Sequence, residues 1–296
     1  MTESTTQHAN AMNKSSQGLY AEVHGLKMYY EMHGAGFPLV LLHGGLSAIG
    51  TSFGKVLPGL ARGRQIIAIE QQAHGHTADI DRPLTYWQMA EDTVTLLSHI
   101  GIEQADFFGY SIGAGIAMEI AIEHLSRVRK LVAATPISTA SGFHPGVLAG
   151  MEALQPEHLA GSPFQEEYER SAPHPQDWPQ LIAKMKQLNQ EFVDWSNDSI
   201  ASIKAPTLLI AGDSDIVRPE HVVELFRLLG GGVPGDNVGL PKAQLAVLPG
   251  TTHITLVDRA QWLIPMITGF LDAPDPTERS RDESLLLVAK ERERKP

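Results

Sequence analysis

The sequence contains no cysteine, and this absence excludes several kinds of chemistry. Disulfide bonds, a thiol nucleophile and cysteine-ligated metal sites all need that side chain. Long apolar runs are also missing, because no stretch approaches the roughly 18 residues that a membrane-spanning helix needs. The polar N-terminus, MTESTTQHANAMNKSSQ, lacks the apolar core of a secretory signal peptide. We therefore expect a cytoplasmic protein without a membrane span.

Basic residues are outnumbered by acidic ones, 23 to 34, so the net charge is -11. Binding to nucleic acid needs a concentrated basic surface, and we expect no nucleic-acid partner. Glycine-rich phosphate-binding patterns are missing as well. The segment GYSIGAG lacks the Lys-Ser/Thr of a P-loop, and its glycines do not fit G-x-G-x-x-G. We therefore expect no cofactor.

Strand-like and helix-like segments alternate along most of the 296 residues. Two short apolar runs on either side of His24 and Gly25 indicate a hairpin. The alternation that follows predicts an α/β fold with a mostly parallel central sheet flanked by helices. The predicted strands include PLVLLHGG, RQIIAIE and residues 105–110, 128–134, 205–212 and 243–250, and the predicted helices include residues 112–124, 219–229 and 259–272.

The alternation stops at Thr135 and resumes near residue 205. The intervening residues 138–199 are rich in Pro, His, Trp and Met, which indicates an inserted helical cap, or lid. This cap would cover a core formed by residues 19–137 and 200–273. We expect residues 1–18 to be a disordered tail and residues 274–296 a C-terminal tail, whose apolar patch LLLVA is a candidate docking segment. The large apolar side chains of the cap either line a substrate pocket or form the cap's own core; they are Phe143, Met151, Phe164, Trp178, Met185, Phe192 and Trp195.

Residues 106–115, DFFGYSIGAG, place a serine where a predicted strand meets a predicted helix. A serine hydroxyl is a weak nucleophile unless it is exposed, oriented and next to a base. A sharp strand-to-helix turn presents Ser111 in this way, and Gly109 and Gly113 relieve the crowding that such a turn causes. The helix that follows directs its N-terminus and the Ile112 N–H to the same spot.

These residues, with further motifs in order along the chain, resemble the α/β-hydrolase superfamily, particularly its serine esterases and lactonases. The resemblance extends over most of residues 20–272. In that family the loop after an early strand, here LLHGG, supplies an N–H group to the oxyanion hole. The resemblance implies that Gly45 has this role, with Leu46 as the second choice, and that Ile112 provides the other N–H group.

The resemblance also implies a catalytic acid and a catalytic base. In LLIAGDSDIVRPEH, the family spacing assigns the acid to Asp215 rather than to Asp213, which would then cap or order the loop. In LAVLPGTTHITLV, His253 stands where the family has its catalytic histidine. The order Ser111, Asp215, His253 is the family order of nucleophile, acid and base.

The segment QQAHGHTADI departs from the Asp-x-x-Gly-x-Gly-x-Ser loop of many relatives, because Glu70 stands at the Asp position and Thr77 at the Ser position. His74 and His76 lack a third ligand at a suitable spacing, so we expect no metal site. We expect substrate contacts from residues near the predicted site and in the cap, namely His43, Leu46, Tyr110, His74 and Trp178.

Together these features predict a cofactor-free carboxylesterase-like serine hydrolase that acts on small to medium hydrophobic esters or lactones. Ser111 also excludes the alkyl-enzyme route of the haloalkane dehalogenases and epoxide hydrolases of this fold, which have Asp at that position. Three alternatives stay open: a C–C bond hydrolase, a perhydrolase or hydroxynitrile-lyase-type relative, and a ligand-binding protein on the same fold. The expected partner is a small molecule, and a homodimer is left open.

Overall fold

The computed structural model describes residues 18–274, whose centre is one eight-stranded sheet. The predicted tails, including the LLLVA patch, lie outside these residues apart from Gly18 and Pro274. The strands are β1 (Leu19–Val23), β2 (Leu26–His33), β3 (Phe37–Leu42), β4 (Arg64–Ile69), β5 (Ala105–Tyr110), β6 (Val128–Ala134), β7 (Thr207–Ser214) and β8 (Ala243–Thr252).

The strand order in the sheet is β1-β2-β4-β3-β5-β6-β7-β8. Strands β3 to β8 run parallel, whereas β1 and β2 form the antiparallel hairpin expected from the sequence, and β2 joins the sheet antiparallel to β4. The mostly parallel sheet predicted from the alternating pattern is confirmed.

Eleven α-helices surround the sheet within the described residues. They are α1 (Ile49–Phe53), α2 (Leu57–Leu60), α3 (Tyr86–His99), α4 (Ile112–Glu123), α5 (Val147–Ala153), α6 (Pro163–Ser171), α7 (Trp178–Gln190), α8 (Asn197–Ser202), α9 (Pro219–Leu228), α10 (Gly235–Val238) and α11 (Ala260–Asp272). Within residues 18–274, none of the helices has the length and the apolar content that crossing a bilayer requires.

The central strands are apolar on both faces because helices cover both sides of the sheet. In β3, Val40 and Leu42 belong to one buried cluster, while Leu39 and Leu41 belong to the cluster on the opposite face. Helix α4 lies against this sheet with residues 112–121 all buried, which explains why nearly all of them are apolar or small.

Between β6 and β7 the chain forms four α-helices and short 3₁₀ turns. Two of these helices, α5 and α7, pack against each other, and α6 packs against α1 of the core and against α7. This segment contains the residues for which a cap was predicted. The boundaries 138 and 199 stay a prediction.

The parallel strands β3, β5, β6, β7 and β8 all point their carboxyl ends to the same edge of the sheet. Ligand sites of open α/β sheets form at this edge. The turns that follow these strands contain Gly45, Ser111, Thr135, Asp215 and His253, so the topology brings together residues that are far apart in the sequence.

Candidate active site

Ser111 occupies a strained turn between β5 and α4. Its φ is +56°, which is unusual for a residue other than glycine. A Cβ added to Gly109 would lie 2.1 Å from the Gly113 carbonyl oxygen, and one added to Gly113 would lie 2.0 Å from the Leu42 carbonyl oxygen. The turn therefore requires glycine at both positions, as the sequence predicted.

A continuous hydrogen-bonded chain starts at the Ser111 hydroxyl. Ser111 Oγ lies 3.0 Å from His253 Nε2, and His253 Nδ1 lies 2.8 Å from Asp215 Oδ1. The Asp215 side chain is buried, while the His253 ring is partly exposed toward the cavity described below. This geometry allows His253 to accept the Ser111 proton while Asp215 holds the opposite ring nitrogen.

The two neighbouring carboxylates, Asp213 and Asp215, have different environments. Asp215 accepts weak hydrogen bonds from the N–H groups of Gly212 and Val217 in addition to its contact with His253. Asp213 is exposed and accepts hydrogen bonds from Gly250 N at 2.9 Å and Thr251 N at 3.1 Å. These backbone donors lower the pKa of Asp213. Asp213 therefore ties the end of β7 to the end of β8, just before His253, without touching the imidazole.

Two N–H groups next to Ser111 are free to receive a substrate oxygen. Gly45 and Ile112 both line the cavity beside Ser111, and within residues 18–274 neither N–H donates a hydrogen bond. Gly45 lies next to Ile112, since a Cβ added to Gly45 would be 3.6 Å from Ile112 Cγ2. The Leu46 N–H, in contrast, donates to His74 Nε2 at 3.3 Å. The geometry thus favours Gly45 over Leu46 as the donor.

His43 and His74, expected as substrate contacts, are fully buried and are not among the residues that line the cavity. His43 Nδ1 donates to the Gly44 carbonyl at 2.8 Å, and its Nε2 accepts from Gln71 N at 3.0 Å. His74 Nδ1 donates to the Gln72 carbonyl at 2.9 Å, and its Nε2 accepts from Leu46 N. Both rings therefore connect the loop at residues 43–46 to the loop at residues 70–77. Contact of either ring with substrate stays a prediction.

Burial also keeps both rings neutral. It lowers the pKa of His43 to about 3, with the nearby His74 contributing in the same direction. Burial lowers the pKa of His74 to about 4. A neutral Nε2 is required at each position because it acts as a hydrogen-bond acceptor.

Stability should therefore decrease in mild acid, and His74→Gln should reduce this dependence. The unfolded chain protonates these histidines near their ordinary pKa of 6.5, whereas the folded protein keeps His74 neutral to about 4. In that interval the unfolded state binds more protons, so stability is complete above about pH 6.5 and is lost as the pH falls. Each such group changes the free energy of unfolding by up to about 1.4 kcal/mol per pH unit.

The measurement is urea unfolding of the wild type and His74→Gln at several pH values between 7 and 4.5. Glutamine keeps an acceptor for the Leu46 N–H but does not titrate. The free energy of unfolding is plotted against pH, and we expect the slope for His74→Gln to be smaller than that for the wild type by the equivalent of about one proton. His99→Gln, at an exposed position, controls for the loss of one histidine. Parallel slopes for the wild type and His74→Gln would show that His74 does not contribute in this way.

Tyr110 and Trp178 are buried and are also not among the residues that line the cavity, and their contact with substrate stays a prediction. The Tyr110 hydroxyl donates to the His253 carbonyl at 2.8 Å and thereby fixes the backbone of the histidine. Burial, followed by the charge of Asp215, raises the pKa of Tyr110. Trp178, the first residue of α7, packs against Tyr168 with 5.2 Å between ring centroids and belongs to the buried hydrophobic core.

A cavity of about 250 Å³ opens from Ser111 and His253. Its wall is mostly apolar and includes Leu46, whose contact with substrate stays a prediction. Of the apolar side chains between β6 and β7 whose role was left open, Phe143, Met151, Phe164 and Met185 line the cavity. Phe192 and Trp195 instead pack edge-to-face against each other and against Tyr86. The structure thus divides these side chains between the cavity wall and an aromatic cluster.

Three polar residues of the cavity wall were not identified from the sequence, namely Thr135, Lys186 and Asn189. Thr135 has φ +54° although it is β-branched, and its buried hydroxyl has no hydrogen-bond partner within residues 18–274. Backbone strain and an unpaired buried hydroxyl are both features that concentrate at functional sites. No local sequence pattern marks this position, since the strain becomes visible only in the fold.

His76, considered above as a metal ligand, is engaged by Glu70 instead. Glu70 Oε2 lies 2.9 Å from His76 Nδ1 and also accepts from the His76 N–H. This hydrogen bond raises the pKa of His76. Within the part of the chain that the structure describes, there is no group of three side chains suited to hold a metal ion.

Comparisons with known proteins agree with this architecture. A family model described as alpha/beta hydrolase fold matches residues 38–172. The 2-hydroxymuconate semialdehyde hydrolase of Pseudomonas sp. strain CF600 is 27% identical over 274 residues, which cover 85% of this chain and 92% of that protein.

Solved structures show the same similarity. A meta-cleavage product hydrolase from Pseudomonas fluorescens IP01 has a TM-score of 0.70 at 20% identity, covering 86% of this chain and 97% of that one. A carboxylesterase from Bacillus subtilis has a TM-score of 0.66 at 19% identity, covering 87% and 92%. The fold expected from the sequence is confirmed.

Proposed function

Because the chain has the α/β-hydrolase fold, we propose that it is a serine hydrolase that cleaves carboxylic esters or lactones through an acyl-enzyme. The observation that carries this proposal is the hydrogen-bonded chain from Ser111 through His253 to the buried Asp215. Two unused N–H groups, those of Gly45 and Ile112, lie beside it. Nucleophile, base, acid and oxyanion donors are the minimum set for acyl transfer from serine.

In the first half of the reaction, Ser111 Oγ attacks the carbonyl carbon while His253 Nε2 takes the hydroxyl proton. The carbonyl electron pair moves to the oxygen, and the Gly45 and Ile112 N–H groups stabilise the resulting negative charge. When the tetrahedral intermediate collapses, the C–O bond to the alcohol breaks and His253 gives its proton to the leaving oxygen. In a lactone this alcohol stays attached to the acyl group.

In the second half, water replaces the alcohol. His253 accepts a proton from water as the water oxygen attacks the acyl carbon, and the bond to Ser111 Oγ then breaks with return of the proton to that oxygen. Asp215 keeps the proton of the neutral ring on Nδ1 and stabilises the imidazolium that forms in each half, without itself being protonated.

The apolar cavity favours a small to medium hydrophobic substrate. Side chains that follow β6, including Phe143, Met151 and Phe164, form much of the wall. Apolar walls with few polar groups orient a ligand mainly by shape and by burial of its surface. We therefore assign selection of the substrate to this segment, which we propose to be a cap over the core.

A C–C bond hydrolase is the second candidate. The similarity to proteins named 2-hydroxymuconate semialdehyde hydrolase and meta-cleavage product hydrolase favours it. The same serine, histidine and oxyanion donors are compatible with that reaction, in which carbon rather than oxygen is the leaving atom. Fold alone does not choose between the two.

Steady-state assays on matched panels would test the choice. Short and medium p-nitrophenyl esters and simple lactones form one panel, and vinylogous 1,5-diketones form the other. We expect kcat/KM for the best ester or lactone to exceed that for the best diketone by more than about tenfold. The reverse order would replace ester hydrolysis by C–C bond hydrolysis.

A further inference from the structure

The cavity wall contains one lysine, Lys186, and no Asp or Glu. Lys186 belongs to α7, on which Ile182, Met185, Lys186 and Asn189 all line the cavity. Their spacing of three, one and three residues places them along one face of the helix. Two members of this face are apolar and the other two, toward the end of the helix, are polar.

This face of α7 lies over Gly45, one of the two proposed oxyanion donors. A Cβ added to Gly45 would lie 2.7 Å from the terminal methyl of Met185. Lys186 follows Met185 directly, and Asn189 lies one turn further along the helix. A substrate held at Ser111 therefore extends into a cavity whose polar groups on α7 are Lys186 and Asn189.

Lys184, two residues earlier on the same helix, is a lysine whose ammonium is fully hydrogen-bonded within the protein. The Lys184 ammonium binds Asp79 Oδ1 at 2.6 Å and the carbonyls of Ile80 and Arg82 at 2.8 and 2.7 Å. Lys186 is half-buried, and within residues 18–274 its ammonium has no hydrogen-bond or ion-pair partner. The helix thus has one lysine that is fully satisfied by the protein and one that is not.

Asn189 is also poorly satisfied. Its Nδ2 contacts Met151 Sδ at 3.5 Å, and a thioether is a weak acceptor. Two donors on one face of the helix therefore have no strong acceptor within residues 18–274. A cation beside apolar walls favours an anion more strongly than it would in water.

We propose that Lys186, assisted by Asn189, binds a carboxylate or similar small anionic group on the part of the substrate that fills the cavity. The preferred substrate is thus an ester or lactone that carries a second, ionised acid group remote from the scissile bond. This inference rests on the proposed function, because it places the anion in the cavity that opens from Ser111.

Monomethyl and dimethyl esters of the C4 to C8 diacids test the proposal, because each pair has the same chain and scissile bond and differs in charge. We expect Lys186→Met to lower the ratio of kcat/KM for the anionic ester to that for the neutral ester by about tenfold, mainly through KM. The readout is this ratio, not the turnover of either ester alone. Lys186→Arg, which keeps the charge, should retain most of the ratio, and the exposed control Lys204→Met should retain all of it.

Binding provides a readout that does not depend on turnover. Calorimetry with monomethyl adipate on Ser111→Ala should give a dissociation constant that Lys186→Met raises by about tenfold in the same background. If the wild type hydrolysed none of the esters but Lys186→Met still raised the dissociation constant, the proposed function would be overturned and the anion site would be supported. Equal charge ratios and equal dissociation constants with and without Lys186 would overturn the anion site, because the ammonium would then only reach solvent.

Discussion

Replacing Ser111 with alanine is expected to abolish ester turnover and leave the fold intact. The only hydrogen bond of the Ser111 hydroxyl within the described residues is to His253, so its removal costs little stability. Without the nucleophile no acyl-enzyme can form, and losses of about 10³-fold to 10⁶-fold in kcat are typical for this change. The measurement is kcat on a p-nitrophenyl ester, together with the thermal unfolding midpoint.

Ser98→Ala is a matched control, since Ser98 is exposed on α3 and far from the cavity wall. It should keep wild-type activity. Folded Ser111→Ala protein that retained esterase activity would remove Ser111 from the mechanism.

Replacing Asp215 or Asp213 with asparagine should have very unequal effects on kcat. Asp215→Asn keeps the shape of the side chain but no longer enforces the tautomer of His253 with its proton on Nδ1, and a fall of about 10⁴-fold in kcat is expected. Asp213→Asn should change kcat far less, because Asp213 binds the N–H groups of Gly250 and Thr251 and does not touch the ring.

Measuring thermal unfolding alongside kcat separates the two roles. Asp213→Asn should lower the unfolding midpoint modestly, because the N–H groups at the end of β8 lose a charged acceptor. Asp215→Asn should lower kcat even at temperatures well below its unfolding midpoint, where the protein is folded. A larger loss of kcat in Asp213→Asn than in Asp215→Asn would assign the acid to Asp213.

The parts of the site that follow local rules could be predicted from the sequence. The turn at Ser111 needs Gly109 and Gly113 for steric reasons that act within a few residues, and the structure shows those close contacts. The strand alternation fixed which loops meet at one edge of the sheet. That edge is what brings Asp215 and His253 together with Ser111.

Side-chain direction could not be predicted in the same way. His43, His74 and Tyr110 adjoin the motifs in sequence, but their side chains turn inward and hold the loops by hydrogen bonds to backbone groups. Which groups a buried ring contacts depends on packing between loops that are distant in the chain. A motif marks the backbone position of such residues, not the direction in which they point.

The segment between β6 and β7 shows the same limit more strongly. Its composition indicated helices and apolar surface. Which of its side chains line the cavity, however, depends on how α7 packs over Gly45. Lys184 and Lys186 are indistinguishable by composition, and only the fold shows that the first is paired and the second faces the cavity.

The central claim is that Ser111 is an activated nucleophile, and covalent labelling tests it most directly. The folded protein would be treated with a fluorophosphonate, and its intact mass and peptide map would be measured together with ester turnover. We expect a single adduct, located on Ser111, with loss of turnover in proportion to labelling. A folded protein that formed no adduct, or formed it at another residue while turnover continued, would contradict the assignment of Ser111, His253 and Asp215 as the catalytic group.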